Sequence, residues 1–110
     1  MSEHPLASPT ALADLVDYQP GSVVSRVLHR GAGGVVTLFA FDEGEGLTEH
    51  TNPNDAIVQI VEGSLRIRVG DTEHEMVAGD VLHMPPSVPH TLHGGPRFKM
   101  LLTLLRPGER

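Results

Sequence analysis

Cysteine and tryptophan are both absent from this 110-residue chain. Without cysteine the protein can form no disulfide and has no thiol chemistry, which suits a reducing compartment, so a cytoplasmic location is expected. Basic residues are also few: 8 Lys and Arg stand against 14 Asp and Glu, for a net charge of −6. They are scattered along the chain. Because nucleic-acid binders usually carry a clustered basic surface, no nucleic-acid partner is expected.

Aromatic residues are scarce as well, with three Phe and one Tyr, so stacking surfaces for bases are not expected. Long apolar runs are missing, and no membrane partner is expected. The first ten residues lack the charged and then apolar layout of a signal peptide. What the chain has in excess is histidine, with seven residues.

Short strands fill most of the chain. Segments of four to eight residues alternate with Gly, Pro, Asn and Asp turns at intervals typical of a β-sandwich or barrel. We therefore predict an all-β barrel over residues 22–110 and an N-terminal extension over residues 1–21, irregular or with one helical turn. The predicted strands are Ser22–Leu28, Val35–Phe41, Ala56–Glu62, Leu65–Val69, Thr72–Val77, Val81–Met84, His90–His93 and Phe98–Leu105.

One hairpin can be placed in register. Gly70-Asp71 separates two alternating segments, and glycine in the first position suits a type II′ turn. Residues whose numbers add to 141 then face each other, which places Arg68 opposite Glu73 and Arg66 opposite Glu75 as charge pairs. The same register predicts that His74 lies on the apolar face.

Two strands are apolar on both faces, Val35–Phe41 and Phe98–Leu105. Such strands in a small protein imply that the outside of the barrel is covered. Either the N-terminal segment folds over it or a second subunit packs there. We favour the second explanation, a homodimer.

The histidines fall at informative spacings. His50 and Asn52 are two residues apart, so both should point to one face of a strand. His90 follows a turn that contains three prolines, and a turn this stiff should fix the position of its imidazole closely.

These two stretches resemble the two sequence motifs of the cupin superfamily, written G-x5-H-x-H-x3–4-E-x6-G and G-x5-P-x-G-x2-H-x3-N. The resemblance covers about residues 22–105, and two motifs at the correct mutual spacing are more specific than either alone. It implies a double-stranded β-helix, or jelly-roll barrel, with one metal ion at its centre. The matching positions are Gly44, His50, Gly63, Gly79, Pro85 and His90.

The departures from the motifs concern the metal ligands. Asn52 stands at the second histidine position, Ala56 at the glutamate position, Ser87 at the glycine of the second motif and Gly94 at its closing Asn. Of the four ligands that the resemblance implies, only His50 and His90 remain. Two imidazoles hold Zn²⁺, Mn²⁺, Fe²⁺ or Ni²⁺ weakly, because protein sites usually use three or four ligands. We therefore predict either a reduced mononuclear site at His50, His90 and Asn52 or a metal-free pocket.

Other residues are candidates for completing the pocket. A β-bulge near residues 54–55 would turn Asp55 inward, whereas the facing of His83 is not fixed by alternation because a proline turn follows it. His74 is a candidate from its apolar face. Lys99 interrupts an apolar strand, so its amine either reaches the surface or holds an anionic ligand in the barrel.

Three functions remain open. The first hypothesis is a cupin that binds a small polar or anionic molecule at this site. An enzyme, a metal-dependent dioxygenase or isomerase, is the second and would need extra ligands from His83, His74 or Asp55. The third is a ligand-sensing module that acts through a partner protein. Fold resemblance alone does not choose among them, since one fold serves many functions.

Overall fold

The computed structural model describes residues 4–107, so residues 1–3 and 108–110 of the predicted extension and barrel lie outside the described part. The prediction of an all-β fold is confirmed, whereas the domain boundary at residue 21 stays a prediction. Its elements are a 3₁₀ helix at Leu12–Leu15 and eight strands: β1 Val23–Gly31, β2 Gly34–Phe41, β3 Leu47–His50, β4 Asp55–Val69, β5 Thr72–Val77, β6 Val81–Met84, β7 His90–His93 and β8 Phe98–Leu105. Among residues 4–107, no helix is both long and apolar enough to cross a membrane.

The strands form two antiparallel layers that share the long strand β4. In the first layer the order is β1-β2-β8-β4-β6, and in the second it is β5-β4-β7-β3. The shared strand β4 spans two of the predicted strands, Ala56–Glu62 and Leu65–Val69. It bends at a bulge between Ile60 and Glu62, and Gly63 follows with φ 78°. A Cβ at Gly63 would lie 2.4 Å from the Arg97 carbonyl oxygen, so only glycine fits this bend.

The two layers face each other across a filled apolar core. The Phe41 and Phe98 rings stack with centroids 4.5 Å apart and an interplanar angle of 9°. Both side chains are fully buried, as are Val58, Ile60 and Ile67. The space between the two layers is therefore filled with side chains.

The outer face of the first layer is covered by the N-terminal segment. Val16 packs with Leu38 and Ala40, and Leu12, Leu15 and Tyr18 add to this second apolar cluster. The structure therefore places this chain's own N-terminal segment over the apolar outer side of β2. The homodimer stays a prediction.

Lys99 belongs to this cover and not to a ligand pocket. Its side chain is 7% exposed, and Nζ donates a hydrogen bond of 2.7 Å to the Ala13 carbonyl oxygen. The Tyr18 hydroxyl donates a 2.6 Å hydrogen bond to Glu62. Burial, together with this carboxylate, raises the pKa of Tyr18. The amine of Lys99 is thus used to hold the N-terminal segment against the barrel.

The β4–β5 hairpin has the predicted register from Ser64↔Val77 to Val69↔Thr72. Gly70 has φ 59°, as a II′ turn requires at its first central position. Arg68 lies opposite Glu73 and Arg66 opposite Glu75, as predicted, although Arg68 and Glu73 make their ionic contacts with other residues. Arg68 contacts Asp71 at 3.7 Å, and Glu73 lies 3.1 Å from His93 on β7.

One end of the barrel gathers five chain segments, and we call it the histidine end. The pairings Gly34↔Leu105, Asp55↔Leu105 and Val69↔His90 bring the corresponding strand ends together. The connections at this end are residues 32–33, 51–54, 70–71 and 85–89, together with the chain that follows β8. The histidine end is therefore built mainly of loops, where ligand-binding residues are commonly found.

Candidate functional site

His50 and His90 meet at the histidine end. His50 is the last residue of β3 and His90 the first of β7, and the two are partners in the strand register. Their Nε2 atoms are 2.8 Å apart, and the ring centroids are 4.0 Å apart at an interplanar angle of 66°. The two imidazoles, which are forty residues apart in the chain, therefore lie next to each other, as the sequence predicts.

The other ring nitrogens of this pair are both held by backbone carbonyl groups. His50 Nδ1 lies 3.0 Å from the Thr48 carbonyl oxygen, and His90 Nδ1 lies 3.3 Å from that of Val88. A carbonyl oxygen only accepts, so each Nδ1 is the donor and carries the proton of the neutral ring. Each Nε2 is then a bare lone pair. Two lone pairs at 2.8 Å repel unless a proton or a metal ion lies between them.

A second histidine pair shows that two ring nitrogens can be equally close without both of them lacking a proton. His4 Nε2 is 2.8 Å from His29 Nδ1, but His4 Nδ1 accepts a hydrogen bond from the Leu6 amide. The His4 proton is therefore on Nε2, and it is donated directly to His29. His4 and His29 therefore form an ordinary hydrogen bond. The pair of His50 and His90 needs an additional proton or a metal ion between its two Nε2 atoms.

The two rings of the site differ in their exposure to solvent. His90 is 6% exposed, whereas His50 is exposed. Burial lowers the pKa of His90, and the neighbouring His50 lowers it further, against the opposing effect of the Val88 carbonyl. His90 therefore stays neutral at neutral pH, which is the form that binds a metal ion.

Backbone hydrogen bonds fix the loops that carry both histidines. The Ser87 amide, in the proline-rich turn before His90, donates a 2.8 Å hydrogen bond to the Asn52 carbonyl oxygen after His50. The Gly70 amide likewise donates a 2.8 Å hydrogen bond to the Pro89 carbonyl oxygen. The stiff turn and these two bonds hold the separation of the imidazoles.

Ser87 is the only non-glycine residue with positive φ among residues 4–107, at 63°. It stands where the second motif has glycine. An L-residue in the left-handed region is destabilised by about 1–2 kcal/mol, part of which is offset because glycine gives a more flexible unfolded chain. Strain at a position next to a ligand site is consistent with a functional constraint.

We expect Ser87→Gly to raise the free energy of unfolding by about 0.5–1 kcal/mol, measured by urea denaturation. The matched control is Ser25→Gly in the exposed strand β1, where the same change should lower stability by about 0.5–1 kcal/mol. A loss of stability in Ser87→Gly equal to that of the control would contradict the assignment of strain to this residue.

Asn52 is near the pair in the chain, but its amide is already used. Its Oδ1 accepts a 2.8 Å hydrogen bond from the Asn54 backbone amide and closes the loop after β3. A carbonyl oxygen has two lone pairs, so this bond leaves one of them. Ligation by Asn52 stays a prediction.

Asp55 and His83 form a separate pair on the outer face of the first layer. His83 Nε2 lies 2.8 Å from Asp55 Oδ1. Their strand neighbours Ala56 and Met84 point into the core, so alternation turns Asp55 and His83 away from it. The prediction of a bulge near Asp55 was wrong, since pairing with β8 is regular from Asp55 to Ile60.

His74 lies on the inner face, as the hairpin register predicts, but on the wrong strand for the site. It is on β5, and β4 lies between it and His90. Two strand spacings amount to about 9.6 Å, which is too far for both rings to hold one ion without rearrangement. Among residues 4–107, no group of three His, Cys, Asp or Glu side chains is arranged to hold a metal.

Sequence reasoning found both imidazoles but missed what orients them. The groups that orient the imidazoles belong to the backbone: the carbonyl groups of Thr48 and Val88 and the amide of Ser87. Because every residue has these groups, the sequence does not indicate which of them are used. The one available signal was a serine at a motif glycine, which indicates a left-handed residue in the turn before His90.

Comparison with known proteins agrees with the architecture. The family model described as a cupin domain matches residues 37–101. Among curated proteins, none is significantly similar to this chain.

Solved structures are similar over nearly the whole chain. A cupin superfamily protein from Desulfitobacterium hafniense is 31% identical, with a TM-score of 0.86 and 94% of each chain covered. A protein of unknown function from Streptococcus pyogenes is 28% identical, also with a TM-score of 0.86, covering 94% of this chain and 90% of that one. A cupin barrel domain protein from Leptotrichia buccalis is 33% identical, with a TM-score of 0.81, over 86% of this chain and 46% of that one.

Proposed function

The chain belongs to the cupin superfamily, and we propose that it binds a small polar or anionic molecule through one divalent transition-metal ion held by His50 and His90. One observation carries the proposal. Both Nδ1 atoms face backbone carbonyl oxygens, so two bare Nε2 atoms lie 2.8 Å apart, and the 4.0 Å separation of the ring centroids shows that their lone pairs are tilted away from the line that joins them. An imidazole whose Nδ1–H is held by a carbonyl and whose Nε2 is free is the usual form of a metal-ligating histidine.

The separation of the two Nε2 atoms is close to that of two ligands on one metal ion. Two nitrogen ligands at about 2.1 Å from an ion are about 3 Å apart at a right angle and about 3.4 Å apart in a tetrahedron. The observed 2.8 Å fits the right-angled arrangement more closely. Neutral imidazole suits Zn²⁺, Fe²⁺ and Ni²⁺, with Mn²⁺ a weaker match. The pair therefore fits two ligands of a mononuclear site and leaves the others to the loop or to an incoming molecule.

The charge of the site argues for an anionic ligand. His50 and His90 contribute no negative charge when they are neutral, so the two positive charges of an ion would be uncompensated. His50 is exposed, which leaves the site open to solvent. A molecule with two oxygen donors would both compensate the charge and occupy open positions. Such an ion would supply Lewis-acid binding of those oxygens.

The enzyme hypothesis is supported less well than binding. It relies on extra ligands, and Asp55 and His83 are paired with each other on the outer face, whereas His74 is one strand too far away. Three protein ligands with an open position are typical of catalytic zinc sites, and the described residues bring two imidazoles together. A sensing role acting through a partner remains compatible with the same binding site.

Isothermal titration of the purified protein with Zn²⁺, Mn²⁺, Fe²⁺ and Ni²⁺ tests the proposal. We expect one ion per chain, and we expect oxalate to bind to the metal-loaded protein but not to the metal-free protein at the same ionic strength. Elemental analysis of the untreated protein checks for the same stoichiometry. If none of the four ions produces saturable heat above that of the same titration without protein, the metal part of the proposal fails and the pair is a proton-sharing contact.

A further inference from the structure

A second cleft lies at the histidine end, beside the turn between β1 and β2. Its volume is about 210 Å³, and its polar lining comes from Arg30, Arg106 and Asn54. Gly31 and Gly34 form part of its wall. Asn54 is in the loop 51–54, which begins directly after His50. The cleft is therefore on the same end of the barrel as the histidine pair but is lined by different residues.

The fold itself brings the two arginines together. Arg30 lies near the end of β1, paired with Val35 of β2, and Val35 pairs with Leu104 of β8. The chain after β8 is then tied to the β1–β2 turn, because the Arg106 amide donates a 2.9 Å hydrogen bond to the Gly33 carbonyl oxygen. Two arginines far apart in sequence thus line one cleft.

Their charges are not matched by carboxylates. Arg68 and Arg97 pair with Asp71 and Asp42, but within residues 4–107 no carboxylate lies within 4.0 Å of the guanidinium nitrogens of Arg30 or Arg106. The nearest acidic residue in the chain to Asn54 is Asp55, and its carboxylate is turned to the outer face, where it contacts His83. In a protein of net charge −6, a cleft with two arginines that no carboxylate of the described residues matches indicates a site for an anion.

Gly34 lets β2 and β8 approach each other closely beside the cleft. At Gly34 a Cβ would lie 1.9 Å from the Leu104 carbonyl oxygen, so a side chain there is excluded by the packing of β2 on β8. Guanidinium groups present forked N–H donors to oxyanions, and the Asn54 side chain can add an amide donor.

We propose that this cleft, the Arg30–Arg106 cleft, is a binding site for a small oxyanion group, a phosphate or a carboxylate. Both groups present oxygen pairs that match the guanidinium fork, and a 210 Å³ cleft accommodates either. The proposal goes beyond the metal site, because none of the residues that line the cleft ligates the proposed ion.

Nitrogen-15 NMR titrations with inorganic phosphate and with malonate test this site, using protein freed of metal and of chelator. Sodium chloride keeps the ionic strength constant, since exposed charges are screened by salt. We expect saturable shifts of the Gly31 and Gly34 amide resonances. The anion that binds more tightly identifies the source of the oxyanion, phosphate or carboxylate.

Arg30→Gln and Arg106→Gln should each weaken binding about tenfold, the low end for a charge-assisted hydrogen bond because both side chains are exposed. Arg66→Gln is the matched control, with the same change of charge on the outer face of β4, and it should leave the affinity unchanged. Equal weakening in all three variants, or no saturable shift of the two glycines with either anion, would overturn the proposal. Because no metal is present, this result is independent of the metal titration.

Discussion

Exchange of His90 for glutamine is expected to abolish one-to-one Ni²⁺ binding. Residues that merely orient a metal ligand typically change affinity by about 10- to 100-fold when mutated, so loss of a ligand should cost at least the upper end of that range. His90 Nε2 is one of two bare nitrogens that face each other at 2.8 Å, and its ring is held by the Val88 carbonyl. One exposed imidazole would remain, at His50. Isothermal titration measures the loss.

Two other histidines provide controls for this experiment. His93→Gln removes an imidazole that contacts Glu73 on the outer face, and His83→Gln removes the partner of Asp55. Both variants should bind Ni²⁺ as tightly as the unmodified protein. A His90→Gln protein that is folded and keeps its affinity would show that the ion binds elsewhere. Loss in His83→Gln alone would move the site to the outer face.

The second large effect concerns the core. Phe98→Ala should lower the free energy of unfolding by about 3–5 kcal/mol, because it removes a buried ring and leaves a cavity. Phe98 is 1% exposed, stacks on Phe41 at 4.5 Å, and pairs with Gly63 at the bend of β4. Small domains are stable by about 5–15 kcal/mol in total, so this change alone would bring the protein near its unfolding threshold.

Urea denaturation followed by circular dichroism measures this loss. Val81→Ala is the control: Val81 is 63% exposed, and its truncation should change stability by no more than about 0.5 kcal/mol. Similar losses in the two variants would contradict the filled core between the layers.

Local patterns predicted much of the fold. Alternation and the Gly70-Asp71 turn were enough to set the β4–β5 register, and the strands Thr72–Val77, Val81–Met84, His90–His93 and Phe98–Leu105 have the predicted bounds. Strand β3 was not among the predicted strands, because Leu47–His50 is exposed throughout and shows no alternation of apolar and polar burial. The expectation that His50 and Asn52 lie on one strand was wrong, since β3 ends at His50. The bend in β4 was read as a strand break, because Gly63 looks the same in sequence whether it ends a strand or bends one.

The candidate site was predictable only in part. The spacing of the motifs identified His50 and His90, but the side chains around them depend on which face of the sheet each strand presents. His83 precedes a proline turn, so its facing required the β4–β6 register, which turns it outward toward Asp55. Lys99 was ambiguous for the same reason. Its partner is a backbone carbonyl at Ala13, which no sequence pattern could indicate.

The homodimer hypothesis shows a different limit of prediction from sequence: it does not identify what covers an apolar surface. The apolar outer sides of β2 and β8 were correctly taken to be covered, and the sequence allowed two covers. Leu12, Leu15 and Val16 of the same chain occupy part of that surface. A short apolar segment near a terminus can cover a sheet as well as a second subunit can, so doubly apolar strands alone do not decide between them.

Anomalous diffraction from crystals grown with Co²⁺ and recorded at the cobalt absorption edge tests the central claim most directly. We expect one peak per chain, at about 2.1 Å from Nε2 of both His50 and His90, with each Nδ1 still directed at its carbonyl oxygen. The proposed metal site would be contradicted by a peak at the His83–Asp55 pair. It would also be contradicted by crystals grown with excess Co²⁺ that show no peak between the two imidazoles.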